Sequence, residues 1–202
     1  MDETADDPPE GAPRSITREA VNELPIRRYE GEVCVVDSAS SLDRALADLH
    51  DEEIAGFDTE TRPAFRKGES YAPSLLQLAT ARAVYLFQLK PALFEPLAGV
   101  LSSPALVKAG VSVADDLRGL KKLFPFEEQW VVDVGVAARR SGLQQSGVRN
   151  LAALLLGFRI PKGAKTTNWA VPRLSAAQIQ YAATDAWACR ELYLKFRALG
   201  LL

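Results

Sequence analysis

The stretch Gly56-Phe57-Asp58-Thr59-Glu60-Thr61 decides how the rest of the chain is interpreted. It closes an apolar run, and we predict a strand from Glu53 that ends on Asp58. Alternate residues of a strand share a face, so Asp58 and Glu60 are expected to point the same way. A solvated strand end is the simpler alternative. Buried, unpaired carboxylates are costly, and cations that prefer oxygen ligands, such as Mg²⁺ or Mn²⁺, would offset that cost.

Two further segments carry acidic side chains in suggestive positions. Gly110-Val111-Ser112-Val113-Ala114-Asp115-Asp116-Leu117 places two aspartates in the first turns of a predicted helix. Adjacent helical residues lie about 100° apart, so only one of the two is expected to face a site. The spacing and the charge leave open which one, and either aspartate would also favour a helix N-terminus electrostatically.

The third segment is Tyr181-Ala182-Ala183-Thr184-Asp185. Tyr181 and Asp185 are four residues apart and share one helix face. A half-buried surface pair is the alternative, but the alanines around the pair would let the helix approach a sheet closely. That approach would bring Asp185 to the end of the strand that carries Asp58.

The order of apolar runs predicts the fold class. An α/β fold follows, with a mixed sheet of about five or six strands and helices on both faces, because a strand hairpin precedes alternating strands and helices. The predicted strands are 33–36, 53–58, 74–80, 83–89, 105–108 and 130–133. The first predicted helix begins at a cap on Ser40 or Ser41. The other predicted helices cover 91–101, 114–124, 134–141, 148–157 and 176–199. The last of them starts with a capping box of Ser175 and Gln178.

Composition divides the chain into a tail and one domain. Residues 1–24 hold seven acidic and two basic residues, few apolar ones and several prolines, and we predict a disordered acidic tail. The whole chain carries −2 and this tail −5, so residues 25–202, the predicted domain, carry +3. That charge suits a phosphate-bearing substrate but not a strongly basic, nonspecific DNA binder.

Compartment and membrane contact are also predicted from composition. No apolar run approaches the roughly 18 residues of a membrane span, so no membrane partner is expected. The two cysteines, Cys34 and Cys189, form no disulfide framework. We therefore predict a reducing, cytoplasmic location.

Together, the three acidic segments resemble the DEDD superfamily of 3′–5′ exonucleases, which includes RNase D and the exonuclease domain of the Werner syndrome helicase. Asp58 and Glu60 match the family's Asp-x-Glu strand, and Tyr181 with Asp185 matches its Tyr-x-x-x-Asp motif. The second motif places its ligand six residues after the glycine of Gly-Val, which selects Asp116. Flanking similarity covers about residues 30–200 and includes Leu75-Leu76-Gln77-Leu78-Ala79, Asn168-Trp169 and Gln178 to Ala186.

The resemblance implies a ribonuclease H-like fold and a two-metal mechanism. Asp58, Glu60, Asp116 and Asp185 would hold two divalent cations, Mg²⁺ or Mn²⁺, and the Tyr181 hydroxyl would orient the attacking water. Nucleoside 5′-monophosphates would leave the 3′ end of RNA or single-stranded DNA, including short oligoribonucleotides. A sister subclass uses histidine at the tyrosine position, but the only histidine here is His50.

Four further residues are candidates for substrate binding. By resemblance Thr61 would touch the terminal nucleotide, with a plain strand-end threonine as the alternative. Arg62 and Lys165 would contact phosphates, although solvated loop charge explains each of them too. Trp169 would stack on a base, with core packing as the alternative.

Two other functions compete with the exonuclease. One is a catalytically silent nucleic-acid-binding or scaffolding domain of the same fold, against which the presence of all five motif residues argues. The other is a metal-dependent phosphatase on small nucleotides. The sequence leaves the sugar preference, the substrate length and the oligomeric state open, an oligomer being compatible with it.

Overall fold

The computed structural model describes residues 14–66 and 68–202, and within them six strands form one mixed sheet. The predicted α/β class, with helices on both faces of the sheet, is confirmed. The strands are β1 (Glu32–Val36), β2 (Ile54–Thr61), β3 (Pro73–Ala79), β4 (Ala83–Gln88), β5 (Val107–Gly110) and β6 (Val131–Asp133). The helices are α1 (Arg18–Glu23), α2 (Ala39–His50), α3 (Phe94–Leu101), α4 (Val113–Lys121), α5 (Val134–Arg140), α6 (Val148–Leu151) and α7 (Ala176–Ala198).

The strand order, β1-β4-β3-β2-β5-β6, places β2 inside the sheet. β2 pairs antiparallel with β3 and parallel with β5, and β3 and β4 form the predicted hairpin. β1 and β6 form the edges and are each parallel to their neighbour. The C-terminal ends of β2, β5 and β6 therefore lie at one edge of the sheet, where the acidic end of β2 is found.

The alternation of side chains along β2 separates two layers of the core. Ala55 and Phe57 point into a cluster with α2, α3 and α4, in which Leu49, Leu97 and Leu117 are buried. On the other side, helix α7 covers β2, β3, β4 and β5. Asp58 and Glu60 share the α7 side because they differ from Phe57 by an odd number of residues.

Helix α7 lies very close to the backbone of β2 at Gly56. A Cβ atom at that glycine would stand 1.9 Å from the carbonyl oxygen of Ala186 and 2.8 Å from the amide nitrogen of Arg190. Ala182, Ala183 and Ala186 are fully buried on the same helix. The prediction that small side chains let this helix approach the sheet is confirmed.

Several predicted boundaries are wrong, each for a local reason. Strand β2 continues past Asp58 because pairing with β3 runs on through Glu60 and, after a register shift, Thr61. Helix α2 is capped by Ser38, not Ser40 or Ser41, since the Ser38 hydroxyl accepts from the Ser41 amide.

Further along the chain, strand β5 starts two residues later than predicted. The 91–101 helix opens with a 3₁₀ turn, Pro91–Leu93. The helix predicted at 148–157 is α-helical only over α6 and continues as a π turn over Ala152–Leu156. The capping box of Ser175 and Gln178 is present as predicted.

The predicted disorder of residues 1–24 does not hold for the part that the structure describes. Residues 1–13 lie outside the described residues. Helix α1 follows, and the chain before it is tied to the domain because Ile16 and Gln145 exchange two hydrogen bonds of 3.0 Å. Arg159 donates to the carbonyl of Leu24 at 3.1 Å. No local sequence pattern indicates this docking, because its contacts lie more than 120 residues away along the chain.

Two structural findings concern the cysteines and the membrane. Cys34 and Cys189 are both free thiols. None of the helices in the described ranges combines the length and the hydrophobicity needed to cross a membrane.

We predict that Gly56→Ala lowers the free energy of unfolding by about 3 kcal/mol or more. The added methyl group would collide with backbone atoms of α7, which cannot move aside as a side chain can. Gly99→Ala is the matched control, because it lies on the exposed side of helix α3, where an added methyl group would have no atom within 4 Å. That substitution should be neutral or stabilising by up to about 1 kcal/mol. Urea unfolding measures both, and similar stabilities for the two variants would contradict the close approach.

Candidate active site

Three carboxylates converge where α7 crosses the end of β2. Each of Asp58, Glu60 and Asp185 offers an oxygen, and these atoms all lie within 4.8 Å of one another. The close approach at Gly56 brings Asp185, on α7, to this position. Elsewhere in the described ranges no other group of three such side chains has this spacing.

This cluster is largely shielded from water. Glu60 is 8% exposed and Asp185 is 5% exposed. The Oδ1 atom of Asp185 is buried and accepts no hydrogen bond from the described residues. A buried carboxylate oxygen without a donor is costly, so the cluster calls for a positively charged ligand or for protons.

Burial and mutual repulsion change the acidity of the group. Burial, followed by the charge of Asp185, raises the pKa of Glu60 to about 8. Burial also raises the pKa of Asp185 to about 6, against the opposing effects of Tyr181, Arg149 and Lys165. The pKa of Asp58 is raised as well, first by burial and then by the charges of the neighbouring acids. Without a cation, the cluster therefore retains protons near neutral pH.

The donor set fits a divalent cation that prefers oxygen. Three carboxylates in a cleft, one with an orphaned oxygen, match the ligands of Mg²⁺ or Mn²⁺. No histidine or cysteine belongs to the group, so a zinc-type donor set is not formed there.

Asp116 stands beside this group rather than within it. The Thr59 hydroxyl donates to Asp116 Oδ1 at 2.5 Å. Burial raises the pKa of Asp116 to about 6. Asp115 instead points outward and pairs with Arg118 at 2.7 Å, its side chain being 84% exposed. Spacing and charge left both aspartates open and the family resemblance selected Asp116; in the structure Asp116 lies on the side of the carboxylates and Asp115 points to solvent.

A capping aspartate fixes the turn that presents Asp116. Ser112, at the start of α4, has a left-handed backbone with φ of 63°. The Asp133 carboxylate accepts from the backbone N–H groups of Ser112 and Val113, both at 3.2 Å, and from that of Val136 at 3.0 Å. This single side chain at the end of β6 joins the starts of α4 and α5. Sequence reasoning missed it because Asp133 belongs to none of the three motifs.

Tyr181 lies one helical turn before Asp185 and is 9% exposed. Its ring is held between Trp169, with centroids 6.0 Å apart, and Gly163, where a Cβ would meet the ring at 2.5 Å. Burial, and then the charges of Asp185 and Glu60, raise the pKa of the phenol above its usual 10. The hydroxyl is therefore protonated at neutral pH and is suited to donating a hydrogen bond, not to acting as a base.

The carboxylates and Tyr181 open into one cleft of about 410 Å³. Its lining also includes two basic side chains, Arg149 and Lys165, whose charges lower the pKa of Asp185. The residues that line the cleft are Asp58, Thr59, Glu60, Val111, Ser112, Gly147, Val148, Arg149, Asn150, Lys165, Tyr181, Asp185 and Cys189.

The four predicted substrate-binding residues lie in different places relative to the cleft. Lys165 lines the cleft, and its charge acts on Glu60. Thr61 ends β2 outside the cleft lining, and the Arg62 guanidinium lies over the ring of Tyr71 at 4.8 Å. The prediction that Trp169 stacks on a base is contradicted by its position, because this side chain is fully buried and packs on Tyr181.

Arg149 is the cleft residue that sequence reasoning missed. Its guanidinium lies 5.8 Å from the centre of the Tyr181 ring, and its Nη2 atom is buried without a hydrogen-bond partner among the described residues. The residue lies on α6, 32 positions before Tyr181 and outside every motif. Only folding brings it to the site, so no local pattern marked it.

Comparisons with known proteins point to one family. A family model described as 3′–5′ exonuclease matches residues 33–200. Ribonuclease D of Haemophilus influenzae is 35% identical over 140 residues, which are 67% of this chain and 34% of that protein. The chain spans between 27% and 41% of the length of three curated relatives that it matches, among them the Aedes aegypti exonuclease mut-7 homolog.

Solved structures show the same fold. The Nibbler EXO domain of Aedes aegypti has a TM-score of 0.74 at 26% identity, over 85% of this chain and 90% of that one. RNase D of Escherichia coli has a TM-score of 0.70 at 22% identity, over 85% of this chain and 47% of that one. The predicted ribonuclease H-like fold and the resemblance to RNase D-like exonucleases are confirmed.

We predict that the cation-free protein loses thermal stability as the pH rises from about 5 to about 8. The folded pKa of Glu60 is about 8 against an ordinary 4.5, so the folded state keeps a proton that the unfolded chain releases in this window. Adding Mg²⁺ or Mn²⁺ at 100 times its dissociation constant at pH 8 should stabilise by about 2.7 kcal/mol, or about 5–10 °C.

Glu60→Gln tests the source of this effect. The glutamine removes the titrating group, so its melting temperature should fall less between pH 5 and 8 and should respond less to the cation. Differential scanning fluorimetry measures both, once in chelator and once in excess cation without chelator. Equal pH slopes for Glu60→Gln and the wild type would show that Glu60 does not hold the proton.

Proposed function

Because the chain belongs to the 3′–5′ exonuclease family, we propose that it hydrolyses phosphodiester bonds and releases nucleoside 5′-monophosphates from the 3′ end of RNA or single-stranded DNA, short oligoribonucleotides included. The observation that carries the proposal is the convergence of Asp58, Glu60 and Asp185 within 4.8 Å, beside the protonated Tyr181. Nucleic acid is the proposed partner. A cytoplasmic location stays a prediction.

The chain's residues divide into two roles. Asp58, Glu60 and Asp185, with Asp116 beside them, would hold two divalent cations, Mg²⁺ or Mn²⁺, which supply Lewis acidity and an activated water when bound. The Tyr181 hydroxyl donates a hydrogen bond and orients the attacking water, since its raised pKa prevents it from serving as a base. The water oxygen attacks phosphorus, and the bond between phosphorus and the 3′ oxygen breaks. One proton of the water ends on that 3′ oxygen, and the rest of the water becomes part of the released 5′-monophosphate.

Two basic residues of the cleft complement this chemistry. Arg149 and Lys165 line the same cleft as the carboxylates and lower the pKa of Asp185. Their charges would offset those of the scissile phosphate and hold it beside the carboxylates. Thr59, through its hydrogen bond to Asp116, would orient that carboxylate.

Two alternatives remain as outcomes of the same assay. A silent nucleic-acid-binding domain would bind oligonucleotides without cleaving them, although an inert copy has no need of the buried acidic cluster. A nucleotide phosphatase would release inorganic phosphate from a mononucleotide. The proposed exonuclease instead shortens a 5′-labelled oligonucleotide by one nucleotide at a time. With a 3′-labelled oligonucleotide, its first product is the labelled terminal nucleotide.

Adjacent aspartates supply a matched pair for this assay. We predict that Asp116→Asn lowers kcat by at least about 10²-fold on a five-nucleotide RNA or DNA in Mg²⁺ or Mn²⁺, because its charge lies close enough to act on Asp58 and Glu60. Asp115→Asn should lie within about twofold of the wild type, since that side chain is 84% exposed and pairs with Arg118. The opposite ranking would remove Asp116 from the site, and no cleavage by the wild type at any length would reject the exonuclease.

We predict that Tyr181→Phe lowers kcat by about 10²–10⁴-fold while leaving cation affinity within a few-fold of the wild type. The phenyl ring keeps its packing between Trp169 and Gly163, and only the hydroxyl that orients water is lost. Single-turnover cleavage across a cation titration separates the two quantities. Unchanged turnover would remove Tyr181 from the mechanism, whereas weaker cation binding would place its hydroxyl in support of Asp185.

A further inference from the structure

A second cavity continues the cleft beyond Arg149 and Asn150, which line both. Its volume is about 480 Å³, and the N-terminal segment that includes α1 forms one of its walls. We call it the basic groove. Its lining residues are Ile16, Arg18, Val21, Asn22, Ile26, Gln145, Arg149, Asn150, Arg159, Ile160, Pro161 and Lys162.

The charges of this groove have one sign. Four of its lining residues are basic, Arg18, Arg149, Arg159 and Lys162, and none is acidic. Among the described residues, none of these four forms an ion pair. Arg149 acts on the carboxylates of the cleft, whereas Arg18, Arg159 and Lys162 have no acidic partner at ion-pair distance among the described residues. Such positive groups next to the cleft are placed to attract a polyanion.

Hydrogen bonds within the protein hold this wall in place before any ligand arrives. Ile16 and Gln145 exchange two hydrogen bonds of 3.0 Å. Arg27 N–H donates to the carbonyl of Arg159 at 3.0 Å, and Arg159 N–H donates to the carbonyl of Pro25 at 2.9 Å. The groove is therefore preformed, which lowers the entropic cost of binding an extended chain.

We propose that the basic groove binds the backbone phosphates of the nucleotides on the 5′ side of the scissile bond in single-stranded nucleic acid. This inference rests on the proposed function, which sets the scissile phosphate at the carboxylates. The terminal nucleoside brings no phosphate besides the scissile one, whereas each upstream nucleotide adds one. A row of cations free of carboxylates therefore suits the upstream side. Ile16, Val21 and Ile160 add apolar surface for the bases.

The inference sets a preference for length. An unphosphorylated dinucleotide has only the scissile phosphate and does not reach the groove, while a ten-nucleotide strand fills it. Arg18→Glu with Lys162→Glu tests this, because both side chains are exposed and neither lines the catalytic cleft. Lys122→Glu with Arg197→Glu is the control, since both are exposed, line neither cavity and change the net charge equally.

Binding is measured by fluorescence anisotropy in an Asp185→Asn background, so that turnover does not enter. For the ten-nucleotide strand, the groove variant should raise Kd at least about tenfold relative to the control. The slope of log K against log salt should become shallower by about 1.4, or about 0.7 for each lost phosphate contact. For the dinucleotide, the two variants should agree within about twofold. Melting temperatures confirm that both stay folded.

Two results would overturn the inference. Equal affinity of the groove variant and the control for the ten-nucleotide strand means that the groove does not bind the backbone. An equal loss with the dinucleotide means that the two substitutions act on the cleft itself. The proposed function fails separately, when the chain with Asp185 intact cleaves neither substrate, and the groove's anisotropy result stands or falls independently of that outcome.

Discussion

The contact between α7 and β2 at Gly56 is the constraint on which the site depends. Without a side chain at this position, the helix backbone comes within contact distance of the strand. That approach carries Asp185 to the carboxylates of Asp58 and Glu60 and sets Tyr181 one turn away. A wider spacing would leave the acids apart and hydrated, with ordinary acidity. The packing of one helix thus determines both the shape and the electrostatics of the cleft.

The same contact makes the cation-free protein electrostatically unfavourable. Three acids share a poorly hydrated space, and the Oδ1 atom of Asp185 has no donor among the described residues. Burial and repulsion raise the pKa values of Asp58, Glu60 and Asp185 together. Protons and divalent cations then compete for one cluster, so folding stability and cation binding are linked through the same carboxylates.

The basic residues extend from the catalytic cleft into the basic groove. The acids, Arg149 and Lys165 line one cleft, and the basic groove adds Arg18, Arg159 and Lys162 beyond it. Arg149 lines both cavities and so connects them. The N-terminal segment contributes to these basic residues through Arg18, although the overall composition of residues 1–24 is acidic. Local placement of charge, not net charge, sets what such a surface attracts.

The sequence by itself determined the elements and the motif residues. Alternation along β2 set Asp58 and Glu60 on one face, and helical spacing set Tyr181 and Asp185 on another, because both depend only on local backbone geometry. Tertiary structure decided the rest. It brought Arg149 into the cleft, buried Trp169 completely, and docked residues 14–24 on the domain. These outcomes depend on contacts between segments far apart in the chain, which no periodicity within a segment encodes.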